Sequence, residues 1–260
     1  MSIANALVLD HFYVAVSEED FVPLTELAKL IRVTIHSKME TKDDAYEGIY
    51  MYSRTMAYFE MLREKKTGGL GLCFSPFYVQ YADASKIVEE MPHEKWKTKT
   101  QYWTDGTPWY DSHTTADYPS FAETLFHPWV MKYHPQHTDY TGFKGRPRQI
   151  DRFERLHLTV GRENLAEIEK NSSWLPCVKT FGEKSIRFEI SDREFSTFVI
   201  DVDLIDGNSR FEFKELLMKG CDPALEALDG HRMGSFHLDV KGDRVRLKKL
   251  KAQSFDGKAF

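Results

Sequence analysis

The chain has 260 residues, of which 42% are hydrophobic and 13% aromatic, and this length and composition can bury one large core or two modest ones. A formal net charge of −5 with interspersed signs argues against a nucleic-acid partner. No apolar run approaches the roughly 20 residues of a membrane span, so we expect a cytoplasmic protein without a membrane partner. Three widely spaced cysteines give neither a disulfide framework nor a CxxC metal site.

The first 135 residues predict two units with the element order β-α-β-β-β. The segment ALVLDHFYVAV has the β-branched and aromatic enrichment of a strand, and SEEDFVPLTELAKLI follows with Ser17 as the predicted helix N-cap. Three strand-like runs come next, RVTIHSKME, YEGIYMYSR and MAYFEMLRE. The order then restarts with the strand LGLCFS, a helix around YADASKIVEEM and the strands KWKTKTQYW, TPWYDSHTT and LFHPWVMKYH.

Residues 136–150 are rich in Pro, Gly and polar side chains and predict a linker. Beyond them, residues 151–260 predict a C-terminal α+β domain with a further related unit. Its strand, helix and three strands are RFERLHLTVG, RENLAEIEKNSSWL, KSIRFEIS, STFVIDVDLI and SRFEFKELLM. A short helix around DPALEALDG and two strands complete this domain. The element order thus predicts one unit used about three times, with slight sequence identity between the copies.

One carboxylate, Glu60, lies in the middle of MAYFEML, which otherwise has the pattern of a buried strand. His11 lies in the first strand, where alternation places it on one face with Leu9 and Tyr13. A carboxylate among apolar neighbours must be neutralised by a proton, a cationic side chain or a metal. The residues alone leave open a structural His–Glu contact and a metal or substrate site.

The strands that carry DHFYVAV and YFEML resemble those of the glyoxalase/bleomycin-resistance, or vicinal oxygen chelate, superfamily, most clearly over residues 6–75. The resemblance implies an α+β fold in which repeated β-α-β-β-β modules form cupped mixed sheets around a divalent metal, Fe, Mn, Ni or Zn. It also implies that His11 on the first strand and Glu60 on the fourth are metal ligands.

The second module departs from the pattern of the family. Leu72 aligns with the expected third ligand, His or Gln, and Lys132 stands where a second Glu is expected. Because a protonated lysine does not ligate a metal, Lys132 is expected to pair with Glu60 if the metal has been lost. His113, in a strand with small polar neighbours, is the best candidate for a third metal ligand.

These expectations describe a metal-dependent enzyme that acts on a small oxygen-bearing substrate by lyase, isomerase or dioxygenase chemistry. The ion would act as a Lewis acid or bind dioxygen. Tyr13, Tyr58 and Lys132 are the predicted catalytic residues, which orient substrate or transfer a proton. The alternative is a metal-free protein of the same fold that binds or sequesters a small molecule. A homodimer is also left open.

A second His–Glu pair, His157 and Glu212, repeats the His-to-Glu spacing in the C-terminal segment. Alternation places both on polar strand faces, which are typical of solvated surfaces. The chain has no P-loop, GxGxxG, GxSxG or HExxH motif, so the common nucleotide-binding, hydrolase and protease mechanisms lack support.

Overall fold

Two eight-stranded mixed sheets make up the fold in a computed structural model, which describes residues 7–42, 45–55, 57–63, 69–76, 96–117, 124–134, 147–192 and 196–250. The first sheet contains β1 (Leu7–Val16), β2 (Thr34–Glu40), β3 (Ala45–Tyr52), β4 (Tyr58–Arg63), β5 (Leu70–Pro76), β6 (Trp96–Tyr102), β7 (Pro108–Thr115) and β8 (Phe126–Tyr133). The second contains β9 (Ile150–Gly161), β10 (Val178–Phe181), β11 (Ser185–Ser191), β12 (Thr197–Ile205), β13 (Glu212–Gly220), β14 (Arg232–Met233), β15 (Phe236–Lys241) and β16 (Arg244–Lys249).

The described helices are short and connect strands. They are α1 (Glu18–Leu24), α2 (Leu27–Leu30), α3 (Leu165–Ser172) and two 3₁₀ helices, Arg162–Asn164 and Pro223–Leu228. The Oγ of Ser17 accepts a hydrogen bond from the backbone N–H of Asp20, which confirms the predicted N-cap. The helix predicted around residues 81–91 lies outside the described residues. No helix in the described part of the chain is long and apolar enough to cross a membrane.

In the first sheet, two similar units meet at its centre. The strand order is β2-β3-β4-β1-β5-β8-β7-β6, with β1 parallel to β4, β5 parallel to β8, and β1 antiparallel to β5. The outer edges approach each other where Thr41 forms a bridge with Trp103 and the N–H of Lys42 donates to the carbonyl of Tyr102. This closure curves the sheet, and the predicted α+β class with cupped mixed sheets is confirmed.

The second sheet repeats the strand order of the first but not all of its directions. Its order is β10-β11-β12-β9-β13-β16-β15-β14, and β9 is parallel to β12. The last pair differs, because β16 runs antiparallel to β13. The sequence analysis missed the short strand β10. It also assigned β13 to the third unit, whereas β13 pairs with β9 and belongs with β14, β15 and β16 on the other side of β9.

The two sheets pack face to face through one hydrophobic core. The ring of Phe12 on β1 lies 4.9 Å from that of Phe59 in its own sheet, and 5.3 Å and 4.5 Å from those of Phe153 and Phe198 in the second sheet. All four side chains are buried. One face of β1 therefore belongs to the core between the sheets, and its other face, which carries His11 and Tyr13, points away from that core.

Substitution of Phe12 tests the importance of this packing. Phe12→Ala should lower the free energy of unfolding by about 3–5 kcal/mol, because it opens a cavity between two sheets that have little room to collapse. The matched control is Phe181→Ala on edge strand β10, where the ring is 38% exposed and the expected loss is below about 1 kcal/mol. Urea unfolding followed by circular dichroism measures both, and equal losses would contradict the shared core.

Candidate metal centre

His11 and Glu60 face each other on the side of the first sheet that points away from the core, which we call the cup. In the parallel pairing of β1 with β4, His11 is opposite Tyr58, and Tyr13 is opposite Glu60. The His11 Nε2 and Glu60 Oε1 atoms are 4.0 Å apart, and the two residues are 4% and 8% exposed. The structure thus brings together the two residues that the sequence proposed as the main ligands.

Asp10 determines how the ring of His11 is held. The pairing of β1 with β5 shifts by one residue between Leu9 and His11, so Asp10 occupies a β-bulge. One Asp10 oxygen lies 2.8 Å from Nδ1 of His11, and the other accepts a hydrogen bond from the Ser75 hydroxyl at 2.9 Å. Because a carboxylate accepts, Nδ1 carries the proton and donates it. In the neutral imidazole, Nε2 is then the atom with the lone pair, and it faces Glu60.

Cys73 on β5 is the cross-strand partner of His11 and lies on the same face. Ligand atoms of Asp10, His11 and Cys73 all lie within 4.8 Å of one another, and all three residues are buried. This group could bind a metal ion. Leu72, which the sequence aligned with the third ligand, pairs with Phe12 and faces the core. A change of one residue in register moves a side chain to the opposite face of a strand, which explains the error.

The carboxyl of Glu60 is in a medium that disfavours its charge. Burial raises the pKa of Glu60. The positive charge of His11, when its ring is protonated, and a hydrogen bond from Tyr58 oppose that rise, and the Asp10 carboxylate adds to it. Burial likewise raises the pKa of Tyr58 well above its ordinary value, so this phenol stays protonated and remains a hydrogen-bond donor. The site therefore combines a fixed imidazole, a carboxyl and a phenol in a weakly solvated space.

Aromatic rings enclose the imidazole of His11. Tyr58 stacks on it with ring centroids 4.4 Å apart, and Trp129 meets it nearly edge-on at 5.2 Å. The ring of Tyr13 lies across β5 at Gly71, where a Cβ would be only 1.8 Å from its Cε1 atom. Glycine at this position is therefore required by the tyrosine above it. Of the predicted catalytic tyrosines, Tyr58 contacts His11 and Glu60, and Tyr13 forms a wall of the cup.

His113 and Lys132 lie on the other face of the first sheet. His113 pairs with Val130, a core residue, and its Nδ1 is 2.9 Å from the hydroxyl of Thr98. Lys132 pairs with Asp111. Strand alternation thus keeps both side chains away from the cup. The expectations that His113 is the third ligand and that Lys132 pairs with Glu60 do not agree with this arrangement.

The second His–Glu pair does not assemble in the second sheet. His157 Nε2 lies 2.8 Å from Asp203, and Glu212 forms an ion pair with Lys214 at 2.9 Å. These side chains are half-buried or exposed. The predicted solvated polar face accounts for them.

The residues that the sequence missed are Asp10 and Cys73. Asp10 directly precedes His11, and an acidic residue adjacent to a proposed ligand is a visible signal for the partner of its second ring nitrogen. Cys73 had no comparable signal, because both faces of β5 are buried and its sequence does not alternate.

Comparisons with known proteins give no sequence match and weak structural similarities. No family model matches the sequence, and no curated protein matches it. A hypothetical protein from Staphylococcus aureus aligns with a TM-score of 0.46 at 9% identity, over 78% of this chain and 88% of its own. A triple mutant of 4-hydroxymandelate synthase from Streptomyces coelicolor aligns with a TM-score of 0.34 at 6% identity, over 75% of this chain and 62% of its own. Similarities this weak carry no argument about function.

Another histidine, His127 on β8, generates a prediction about acid stability. It pairs with Gly71, its ring is 4.8 Å from that of Trp129, and burial lowers its pKa to about 3. The unfolded chain takes up a proton near pH 6.5 while the folded chain does not. The contribution of the neutral His127 ring to the free energy of unfolding is therefore complete above about pH 6.5. This contribution is lost as the pH falls toward 3.

The variant His127→Gln should lose less stability on acidification than the wild type. Between pH 6 and pH 4 its free energy of unfolding should fall less steeply, by up to about 1.4 kcal/mol per pH unit. Urea unfolding at several pH values measures the slope for both proteins. Parallel curves for wild type and His127→Gln would show that this ring is not kept neutral by the fold.

Proposed function

We propose that the chain is a member of the vicinal oxygen chelate superfamily and a metal-dependent enzyme that acts on a small oxygen-bearing substrate. The cup of the first sheet would hold a divalent ion between His11 and Glu60. One observation carries the proposal: Asp10 holds Nδ1 of His11 so that Nε2 faces a buried carboxyl 4.0 Å away.

The spacing and chemistry of the two groups fit an ion. Two ligand atoms that are each about 2.1 Å from one ion can be separated by at most about 4.2 Å, and tetrahedral ligands by about 3.4 Å. The observed 4.0 Å lies inside this limit and needs only a small closure. A carboxylate on the second ring nitrogen is also the usual support of a metal-binding histidine. A divalent cation would offset the burial that raises the pKa of Glu60.

The chain's own residues would prepare the site for a polar substrate. A bound ion supplies Lewis acidity toward a substrate oxygen. Asp10 fixes the direction of the His11 lone pair, and the hydroxyl of Tyr58 donates to Glu60. The hydroxyl of Tyr133 lies 3.4 Å from that of Tyr58, so a second phenol is positioned to exchange a hydrogen bond with it. Tyr58 covers one face of the imidazole and Trp129 packs nearly edge-on against it, which limits access of water to the ring.

The second candidate is a metal-free protein of the same fold that binds a small molecule. It is favoured by the hydrophobic cluster inside the cup, in which Tyr13, Leu62, Cys73, Trp129 and Met131 pack together. Three partly buried tyrosines, Tyr46, Tyr110 and Tyr133, border this cluster. An apolar lining with a few hydroxyl groups is typical of small-molecule sites.

The cytoplasmic location, the absence of nucleic-acid and membrane partners and the homodimer stay predictions from the sequence.

Elemental analysis by mass spectrometry separates the two candidates. Protein purified without chelator or affinity-metal resin should carry about one transition-metal ion per chain. Glu60→Ala should lose it while far-ultraviolet circular dichroism stays unchanged. The control is Glu212→Ala, which removes an exposed carboxylate from the second sheet and should keep the metal.

Two outcomes would count against the enzyme. Equal metal content in Glu60→Ala and the wild type would exclude Glu60 as a ligand. A wild type that carries no metal and takes none up on titration with Zn²⁺, Mn²⁺ or Fe²⁺ would favour the metal-free candidate.

A further inference from the structure

Strand β10 forms an open edge of the second sheet, because it is the first strand in the sheet order and pairs with β11 on one side. The N–H of Gly182 donates to the carbonyl of Ser185 at 2.8 Å, so these residues form a hydrogen-bonded pair across the two strands. Hydrogen-bonded pairs alternate along an antiparallel ladder, and Thr180 is therefore the next residue that bonds to β11. The peptide groups of Lys179 and Phe181 point the other way, toward the open side of the sheet.

The side chains of β10 leave this edge apolar and accessible. Val178 is 63% exposed, the largest fraction among the exposed large hydrophobic side chains in the described part of the chain, and Phe181 is 38% exposed. Thr180 is exposed as well. An exposed edge strand with apolar side chains is a template for pairing with a further strand.

The charge that usually protects such an edge is directed elsewhere. Lysines on edge strands discourage pairing with another chain, and the edges of the first sheet carry exposed lysines, Lys38 on β2 and Lys97 on β6. The lysine of β10, Lys179, turns back onto its own fold. Its Nζ atom donates to the carbonyls of Ser172 and Ser173 at 2.9 Å, at the C-terminal end of α3, where a cation is favoured.

We propose that β10 is the interface of a homodimer, in which the β10 strands of two copies pair antiparallel about a two-fold axis at Thr180. An edge strand presents the same row of donors and acceptors to its own copy, so the antiparallel interface is self-complementary. Lys179 of each copy then lies opposite Phe181 of the other copy, and the outward N–H and carbonyl groups of both residues bond across the axis. The inference goes beyond the proposed metal site and does not depend on it.

The position of the axis follows from the residues that each register brings together. Both copies keep the same face of the sheet on the same side, so the axis passes between two identical residues. An axis at Lys179 would place two lysines opposite each other, which is destabilising. An axis at Phe181 would bring Glu183, which lies beyond the end of β10, into the pairing. An axis at Thr180 keeps the pairing within β10 and places two β-branched side chains opposite each other, which is favourable.

Charged substitutions at Thr180 test the interface. Sedimentation velocity of the full-length protein over a concentration series should show an equilibrium between monomer and dimer. Thr180→Lys and Thr180→Glu each place like charges opposite each other at the axis, so each variant should dimerise at least about tenfold more weakly. An equimolar mixture of the two variants should restore the dimer, because the charges are then opposite. The matched control Thr180→Val should dimerise like the wild type, since it keeps a β-branched residue of similar size.

Three outcomes would overturn the interface. The first is a wild type that sediments as a monomer at every concentration. The second is a dimer that both charged variants retain, because that dimer would use another surface. The third is loss of the dimer in both variants without recovery in their mixture. Because Thr180 is exposed, the variants should keep the fold, which far-ultraviolet circular dichroism checks. Metal content enters none of these outcomes, so a failure here leaves the His11–Glu60 site standing.

Discussion

The central strand β1 is buried on both of its faces, and this constraint determines what each of its polar side chains must do. One face carries Phe12 into the core between the two sheets. The other face carries His11 into the cup. A bulge at Asp10 solves the resulting problem of polar burial, since its carboxylate bonds both His11 and Ser75. The hydrogen bond from Nδ1 of His11 to Asp10 leaves Nε2 available. The packing of β1 therefore also sets the direction of the group that faces the site.

The two sheets hold a His–acid pair in the same strand register, but they differ in how deeply that pair is buried. In the second sheet His157 pairs with Asp201 across the parallel strands, and Asp203 follows two residues later, as Glu60 follows Tyr58. His157 and Asp203 are 2.8 Å apart, but more than half of the Asp203 side chain is exposed. In water such a pair contributes little and needs no ion to offset its charge. The equivalent pair becomes a candidate metal centre only where aromatic walls remove the water.

The sequence predicted the fold, and it selected two residues that the structure brings together in the candidate site, for identifiable reasons. Strand β1 and its helix were recognisable from β-branched enrichment and from Ser17, and the isolated Glu60 signalled a buried charge. Strands β5 and β8 were harder, because both are buried on nearly every residue and give no alternation from which to read the register. The sequence therefore selected Leu72 and Lys132, which lie on the face away from the cup, whereas their neighbours Cys73 and Met131 lie on the cup face. Pairing between strands distant in sequence supplied the missing information.

The orientation of the His11 imidazole is the property on which the account depends, and nitrogen-15 nuclear magnetic resonance of the histidine side chains measures it directly. In the metal-free protein, the His11 signals should show a proton on Nδ1, donated to Asp10, and a lone pair on Nε2. Addition of Zn²⁺ should shift the Nε2 resonance and leave the proton on Nδ1. A proton on Nε2 before the metal is added, or loss of the Nδ1 proton when it binds, would contradict the proposed direction of the ring. Any ion would then lie on the Asp10 side of His11 and not on the Glu60 side.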